Sequence, residues 1–190
     1  MTLTRWTIED VELLPDTLDD TRYEIIDGEL YVSHQPHAYH QLTGSRIVFE
    51  LGAWNAETGL GVAIHAPGVI FARDEAVAPD VVWVTSARLA TILGDDGKFH
   101  AAPDLVVEIL APGHVNEQRD RELKLDVYSR RGVREYWIAS WQDHKLEVYR
   151  RDELQLRLAG TLLESDTLES PLLPGFALPL QRLFAEMPTT

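Results

Sequence analysis

The segment DLVVEIL, Asp104–Leu110, is an almost unbroken run of aliphatic and β-branched residues interrupted by one acid, Glu108. A strand wetted on one side alternates polar and apolar residues, whereas a continuous apolar run belongs to a strand buried on both faces. The chain therefore needs a central sheet with material packed on each side, and that sheet must accommodate a carboxylate. Desolvating a carboxylate costs several kcal/mol unless a cation or hydrogen-bond donors compensate, so Glu108 requires a partner. A structural ion pair with lysine or arginine would meet that need, and so would a metal ion.

The rest of the chain supplies elements for such a sheet. RYEIIDGELYV places an Asp27-Gly28 turn between two short β-rich runs, which predicts a hairpin with strands near 22–27 and 29–33. From Ala38 to Glu57, Leu42, Ile47, Leu51 and Trp54 recur at helical steps, and the helix stops at Thr58-Gly59. Residues 61–72 read as one or two strands and Val81–Val84 as a short one, after which Ser86 is expected to cap a short helix. A charged helix is predicted over Asn116–Arg131, ending at Gly132 with Arg130 and Arg131 in its last turn. VREYWIAS is a further strand, Lys145–Arg150 and Leu154–Leu158 form a terminal hairpin, and the tail ends in the amphipathic run LPLQRLF. These elements predict an α+β fold (α/β in the broad sense) with a mixed central sheet flanked by helices, plus N-terminal and C-terminal hairpins. No repeat or Gly/Ser linker divides the 190 residues, so one domain is expected over 1–190 with a core at about 22–160, behind a polar, acidic lead-in.

Composition narrows the chemistry. There are no cysteines, which excludes disulfides, thiolate metal sites and a thiol nucleophile, and no apolar stretch suits a signal peptide or membrane span. A soluble, cytoplasmic protein is expected, with no membrane partner. The formal charge of −14 argues against a polyanion as partner, yet the segment Arg119–Arg157 carries ten of the seventeen Lys and Arg residues and is mildly basic. No G-x-S-x-G elbow, glycine-rich phosphate loop or dinucleotide fingerprint is present.

The informative constellation is Asp80 before VVWV, Glu108 within LVVEIL, and Lys124 on the following helix. If the two strands are neighbours about 4.8 Å apart, the two carboxylates can reach one Mg²⁺ and leave positions open for water and phosphate. Asp104 is not a candidate for that role, because four residues of strand separate it from Glu108 by about 13 Å; it reads as a strand-entry residue. Taken singly, each residue has a plainer reading: Glu108 in a structural bridge, Lys124 as a solvated surface residue, Glu24 beside Arg22 as an exposed strand acid. His34, His37 and His40 have the look of a ligand tract, but Pro36 interrupts any helix there and the three need not share a face. His40, at the start of the first long helix, could contact phosphate, support Glu24, or simply cap or pack.

Taken in order, YEIIDGELYV, His40-Gln41, Pro79-Asp80, PDLVVEIL followed by Ala111-Pro112, Lys124 with Tyr128, and GVREYWI resemble the Uma-two type restriction endonucleases, a branch of the PD-(D/E)xK phosphodiesterase superfamily, from about Tyr23 to Phe184. The resemblance implies an αβββαβ restriction-endonuclease-like core with Glu24, Asp80, Glu108 and Lys124 as active-site positions. Where the superfamily writes acid-x-lysine on the strand, this chain has Glu108-Ile109-Leu110; the resemblance to this branch implies that the lysine comes instead from the next helix, as Lys124, with Tyr128 on the same helical face. The implied activity is an endonuclease hydrolysing DNA phosphodiester bonds with Mg²⁺ or Mn²⁺. Asp80 and Glu108, joined by the main-chain carbonyl of Ile109, would hold the metal, Lys124 would orient or deprotonate the attacking water, and Glu24 would complete the shell or hold a second ion. The basic helix from Arg119 to Arg134 is expected to face the phosphate backbone of DNA or another nucleic acid. The hairpin edges and the aromatic strand with Tyr136 and Trp137 make a homodimer plausible. The rival expectation, prompted by the acidic charge, is a catalytically inactive nuclease fold that binds nucleic acid or a protein; a hydrolase using a transition metal at His34–His40 is a third.

Overall fold

The computed structural model describes residues 5–14, 21–111, 113 and 117–188. Its centre is a six-stranded mixed sheet built from β3 (Gly61–His65), β6 (Val81–Thr85), β7 (Leu105–Ile109), β8 (Glu135–Ser140), β9 (Lys145–Asp152) and β10 (Gln155–Leu163), in the order β10-β9-β8-β7-β6-β3. β7 and β8 are parallel and every other neighbouring pair is antiparallel. The β7–β8 crossover is helical: a π-helical turn, Arg119–Lys124, runs into the α-helix Leu125–Arg131, and the two together are α4 here. The predicted start of this helix at Asn116, and Pro112 of the Ala111-Pro112 motif, lie outside the described residues.

A second sheet of four strands packs beside α4 in the order β2-β1-β5-β4, where β1 is Arg22–Ile26, β2 Glu29–Ser33, β4 Val69–Ala72 and β5 Glu75–Val77. The β1–β2 turn places Asp27 and Gly28 at φ 52° and 79°, the paired positive dihedrals that match a two-residue turn to the strand twist. α2 (Ala38–Thr58) takes its N-cap from His37, whose Nδ1 accepts from the Tyr39 amide at 3.2 Å, and ends at Gly59 in the left-handed region. His40, Thr43, Gly44, Ile47 and Leu51 form its buried stripe. The helix seats closely because Gly44 has no side chain: a Cβ there would meet Ile109 Cδ1 at 3.1 Å.

Alternation along β6 and β7 separates two cores. Val81, Trp83, Leu105, Val107 and Ile109 face α2 and the C-terminal elements, whereas Val82, Val84, Val106 and Leu110 face Val127, Tyr128 and the four-stranded sheet. Each fully buried large apolar side chain contributes about 1.5–3 kcal/mol. Glu108 falls on the second face, directed toward α4. Setting aside the inserted β4, β5 and α3 (Ser86–Ile92), the order α2-β3-β6-β7-α4-β8 is the expected αβββαβ core.

Several local expectations change. Thr85 is the N-cap of α3 and Ser86 its first residue, with no side-chain cap bond. The polar lead-in contains a short helix, α1 (Ile8–Glu12), and the proline-interrupted tail contains a hairpin, β11 (Thr167–Ser170) with β12 (Leu173–Pro179), before α5 (Leu180–Phe184). Tyr136 and Trp137 are fully buried in an interior strand of the six-stranded sheet, so their strand offers no edge for a dimer contact. Among the described residues no helix is long and apolar enough to cross a membrane.

Candidate active site

The β6–β7 ladder pairs Val81 with Val107, and one step beyond it Asp80 stands opposite Glu108. These two strands and the four-stranded sheet meet α4 around a cleft of about 310 Å³. Glu24, Asp80, Glu108, Ile109 and Lys124 all line it, together with Arg22, His40, Arg119, Asp120 and the loop Ser33–His37. The five residues singled out from the sequence therefore share one site. Glu24 and Lys124 are 3% and 2% exposed, so neither is the surface residue that its plainer reading supposed.

Lys124 is the hub. Its Nζ lies 2.9 Å from Glu24 Oε1, 3.0 Å from Glu108 Oε1 and 3.6 Å from Asp120 Oδ1. Burial works against its charge, but the surrounding carboxylates of Glu108, Glu24 and Asp120 outweigh it and hold the ammonium protonated well above the ordinary lysine range. Tyr128, one turn on, donates its hydroxyl to the same Glu108 Oε1 at 2.6 Å. Burial, then the Glu108 charge, keeps that phenol neutral far above its usual range. Glu24 also accepts from the Ala78 amide at 2.9 Å, which fixes it between β1 and the chain entering β6.

Asp80 is held differently. Oδ2 accepts from the Ile109 amide at 2.8 Å and lies 3.2 Å from His40 Nε2, while Oδ1 receives Arg22 Nη1 at 3.3 Å. Burial alone would raise its pKa, but the His40 hydrogen bond and charge, with Lys124 and the Ile109 amide, bring it below the ordinary aspartate value. Glu108 goes the other way. Burial raises it to about 8; Lys124 opposes this, and the Asp80, Asp120 and Glu24 charges add to it. Two adjacent carboxylates thus have oppositely shifted protonation, a signature of functional clusters.

The π-helical turn carries Asp120, which the sequence does not single out, and Arg119, expected only as the start of the basic helix. Its i→i+5 bonding overlays residues five apart, which turns both Arg119 and Lys124 toward the cleft. Arg119 reaches Glu24 Oε2 at 3.7 Å and Asp120 Oδ1 at 3.4 Å, and the Asp120 main-chain oxygen accepts from Tyr136 Oη at 2.9 Å. Asp120 stands one helical turn before Lys124, a spacing that is visible in the sequence; nothing there marks Arg22, whose partner lies across the cleft in Asp80. His40 supports Asp80 rather than Glu24, and His34 and His37 sit apart from it as exposed residues of the rim.

The cations of the basic helix are paired along its length. Arg121 pairs with Glu147, Arg130 with Glu75, Asp27 and Asp126, Arg131 with Glu75, and Arg134 with Asp104. These ion pairs tie the helix and the loop after it to the body of the protein, while Arg119 at its start lines the cleft. Asp104 is a buried strand-entry residue, as expected, holding the Thr85 amide, Arg88 and Arg134 on β7 at the end remote from Glu108.

The donors suit a hard divalent cation. Glu24, Asp80, Glu108 and Asp120 are all at least nine-tenths buried in this cleft, and burial first, with the neighbouring carboxylates adding to it, raises the Glu108 pKa. Among the described residues no three His, Asp or Glu side chains converge as a ready ligand group. Asp80 and Glu108 would thus form a two-carboxylate site of the kind Mg²⁺ occupies, completed by carbonyl, water and phosphate oxygens.

A mixed sheet with an acid ahead of one central strand, an acid on its neighbour and a lysine on the crossover helix defines a restriction-endonuclease-like protein. The family model for Uma2, described as "Putative restriction endonuclease", matches residues 8–181, and the chain belongs to that family. A crystal structure of a "putative nuclease belonging to DUF820" from Anabaena variabilis has the same fold, at a TM-score of 0.75 and 19% identity over 95% of this chain and 98% of that one. No curated protein matches the sequence.

Proposed function

We propose that the protein is a metal-dependent endonuclease that hydrolyses phosphodiester bonds of DNA, working as one restriction-endonuclease-like domain. The observation that carries this reading is the meeting of Glu24 and Glu108 on the Lys124 ammonium in a single cleft that Asp80 also lines. Asp80 and Glu108 would hold Mg²⁺ or Mn²⁺, with the Ile109 carbonyl, which projects to the same strand edge as the amide bonded to Asp80. The bound cation supplies Lewis-acid neutralisation of the scissile phosphate.

The protein's own groups then have distinct tasks. Both Lys124 and Tyr128 donate to Oε1 of Glu108, so Oε2 would be the oxygen left to hold a metal. Lys124, firmly protonated, orients the attacking water and stabilises charge growing on the phosphoryl oxygens; its pKa direction argues against a role as base. His40 and Arg22 hold the Asp80 carboxylate in one rotamer, and Glu24 keeps Lys124 in place from the opposite sheet.

Asp80→Asn and Glu108→Gln, which preserve shape, should each abolish Mn²⁺-dependent DNA cleavage and the calorimetric heat of Mn²⁺ binding, with the circular dichroism spectrum unchanged. Full cleavage by either variant would overturn the assignment. Absence of both metal binding and cleavage in the wild type would favour a fold kept for binding alone.

A further inference from the structure

We propose that Arg119 is a further catalytic residue, whose guanidinium binds a non-bridging oxygen of the phosphate being cleaved and stabilises the charge that grows on it. The inference rests on the nuclease reading above and gives that nuclease a working group beyond the carboxylates and Lys124. The need for one is a matter of donor number. A lysine ammonium has three N–H donors, and Lys124 Nζ already faces Glu24 Oε1 at 2.9 Å, Glu108 Oε1 at 3.0 Å and Asp120 Oδ1 at 3.6 Å. Its share for a phosphoryl oxygen is therefore small. Arg22 is committed to Asp80, one of the residues that would hold the metal. Arg119 is the other arginine that lines the cleft.

A guanidinium carries five N–H donors in a planar fork that matches the oxygens of a phosphate. The carboxylate contacts of Arg119 engage little of that fork: Nε lies 3.4 Å from Asp120 Oδ1, and Nη1 lies 3.7 Å from Glu24 Oε2, beyond hydrogen-bond distance. Its place is nonetheless beside the reacting groups. Asp120 Oδ1 is shared by Arg119 Nε and Lys124 Nζ, and Glu24 turns one oxygen to each of the two cations. Lys124 in turn binds Glu108. Burial opposes the Arg119 charge, but the carboxylates of Asp120, Glu24 and Glu108 outweigh it, so Glu108 itself is close enough to act on the guanidinium. The side chain is 12% exposed, and a charge-assisted hydrogen bond made there is screened less than one at the surface. Arg119 forms no bond to the substrate and yields no proton, because a guanidinium stays charged in proteins. What it supplies is donors already in place for an oxygen whose charge increases in the transition state.

Arg119→Ala and Arg119→Lys separate this role from that of a counterion for Glu24 and Asp120. Initial rates of plasmid nicking in Mn²⁺, taken over a range of plasmid concentrations, give kcat and KM, and calorimetry gives Mn²⁺ affinity without turnover. Arg119→Ala should lower kcat about 10²- to 10³-fold, as the loss of an oxyanion donor does, with KM little changed. Its Mn²⁺ affinity should persist, since no hydrogen bond or ion pair joins Arg119 to Asp80 or Glu108 among the described residues. Guanidinium chloride at millimolar, non-denaturing concentration should restore kcat in Arg119→Ala and leave the wild type unchanged. Arg119→Lys keeps the charge but not the fork, so its kcat should fall between the two at a near-native melting temperature. A wild-type kcat in Arg119→Ala, or a loss that guanidinium does not restore, would overturn the inference. If the alanine variant does not fold, Arg119→Lys decides, and an unchanged kcat there makes Arg119 a counterion only. Asp80→Asn reports independently: cleavage lost there while Arg119→Ala is unimpaired leaves the nuclease and removes this role, and cleavage retained there removes the nuclease itself.

Discussion

At the residue scale the site is governed by one buried ammonium. Lys124→Met would remove the ammonium between Glu24 and Glu108 and leave Glu108 without its cation, and removing one member of a buried pair costs about 3–5 kcal/mol. Adding Glu108→Gln should recover a large part of that loss, and urea unfolding of the two single variants and the double variant measures the coupling. Glu108 also sets a pH dependence. Its folded-state pKa of about 8 lies above the ordinary value of 4.5, so the folded protein holds a proton that the unfolded chain releases. That contribution is complete below about pH 4.5 and is lost as pH rises through about 8. The wild type should therefore lose more stability than Glu108→Gln between pH 6 and 9. Mn²⁺ binding at pH 7 should expel the same proton, seen as a calorimetric heat that varies with the ionisation enthalpy of the buffer.

Legibility at this scale follows chemical necessity. An acid inside an apolar strand has to be answered, which is why Glu108 points to a partner from the amino-acid order alone. Asp80, Glu24 and Lys124 acquire meaning only through the order of motifs along the chain. Arg22 and Arg119 cannot be found in this way, since a strand arginine and a helix arginine are ordinary on any surface. What makes them part of the site is a tertiary approach to Asp80 and Glu24 and, for Arg119, the π-helical turn, which a 3.6-residue period does not anticipate.

At the scale of elements, the position of α4 decides whether Lys124 meets its carboxylates. Glu75, 2% exposed on β5, binds both Arg130 and Arg131 and so pins the four-stranded sheet to the end of that helix. Because both arginines are about one-third exposed, Glu75→Ala should cost only about 1–2 kcal/mol in urea unfolding. Cleavage should fall by a larger factor than stability explains, since Glu24 rides on the same sheet; a variant with unchanged turnover would show that the clamp is purely structural. The strands and long helices are readable from period and turn residues, as with Asp27-Gly28 and the Gly59 stop. Others are not: α1 and β5 have too few residues to show a period, and in the β11–β12 pair of the tail Pro174, Gly175 and Pro179 interrupt the strand pattern.

At the scale of the whole molecule, a chain of −14 has paired many cations of its most basic segment with its own acids. Association with nucleic acid should accordingly depend weakly on salt. With three cations in the cleft, the slope of log affinity against log salt should be no steeper than about −2 to −3, measured by anisotropy between about 50 and 200 mM KCl. A much steeper slope would mean that a larger cationic surface takes part. Net charge is legible from composition, but its spatial arrangement is not, because ion pairing depends on which acids the fold brings opposite Arg121, Arg130 and Arg131.

Lys124 binds Glu24 from one sheet and Glu108 from the other, so the ammonium is also a rivet across the seam between them. Any anion that draws Nζ toward itself loosens that seam, and by thermodynamic reciprocity any force that parts the sheets lowers affinity for the anion by the same factor. Occupancy of the cleft and cohesion of the two halves are, in this protein, one equilibrium observed from two sides.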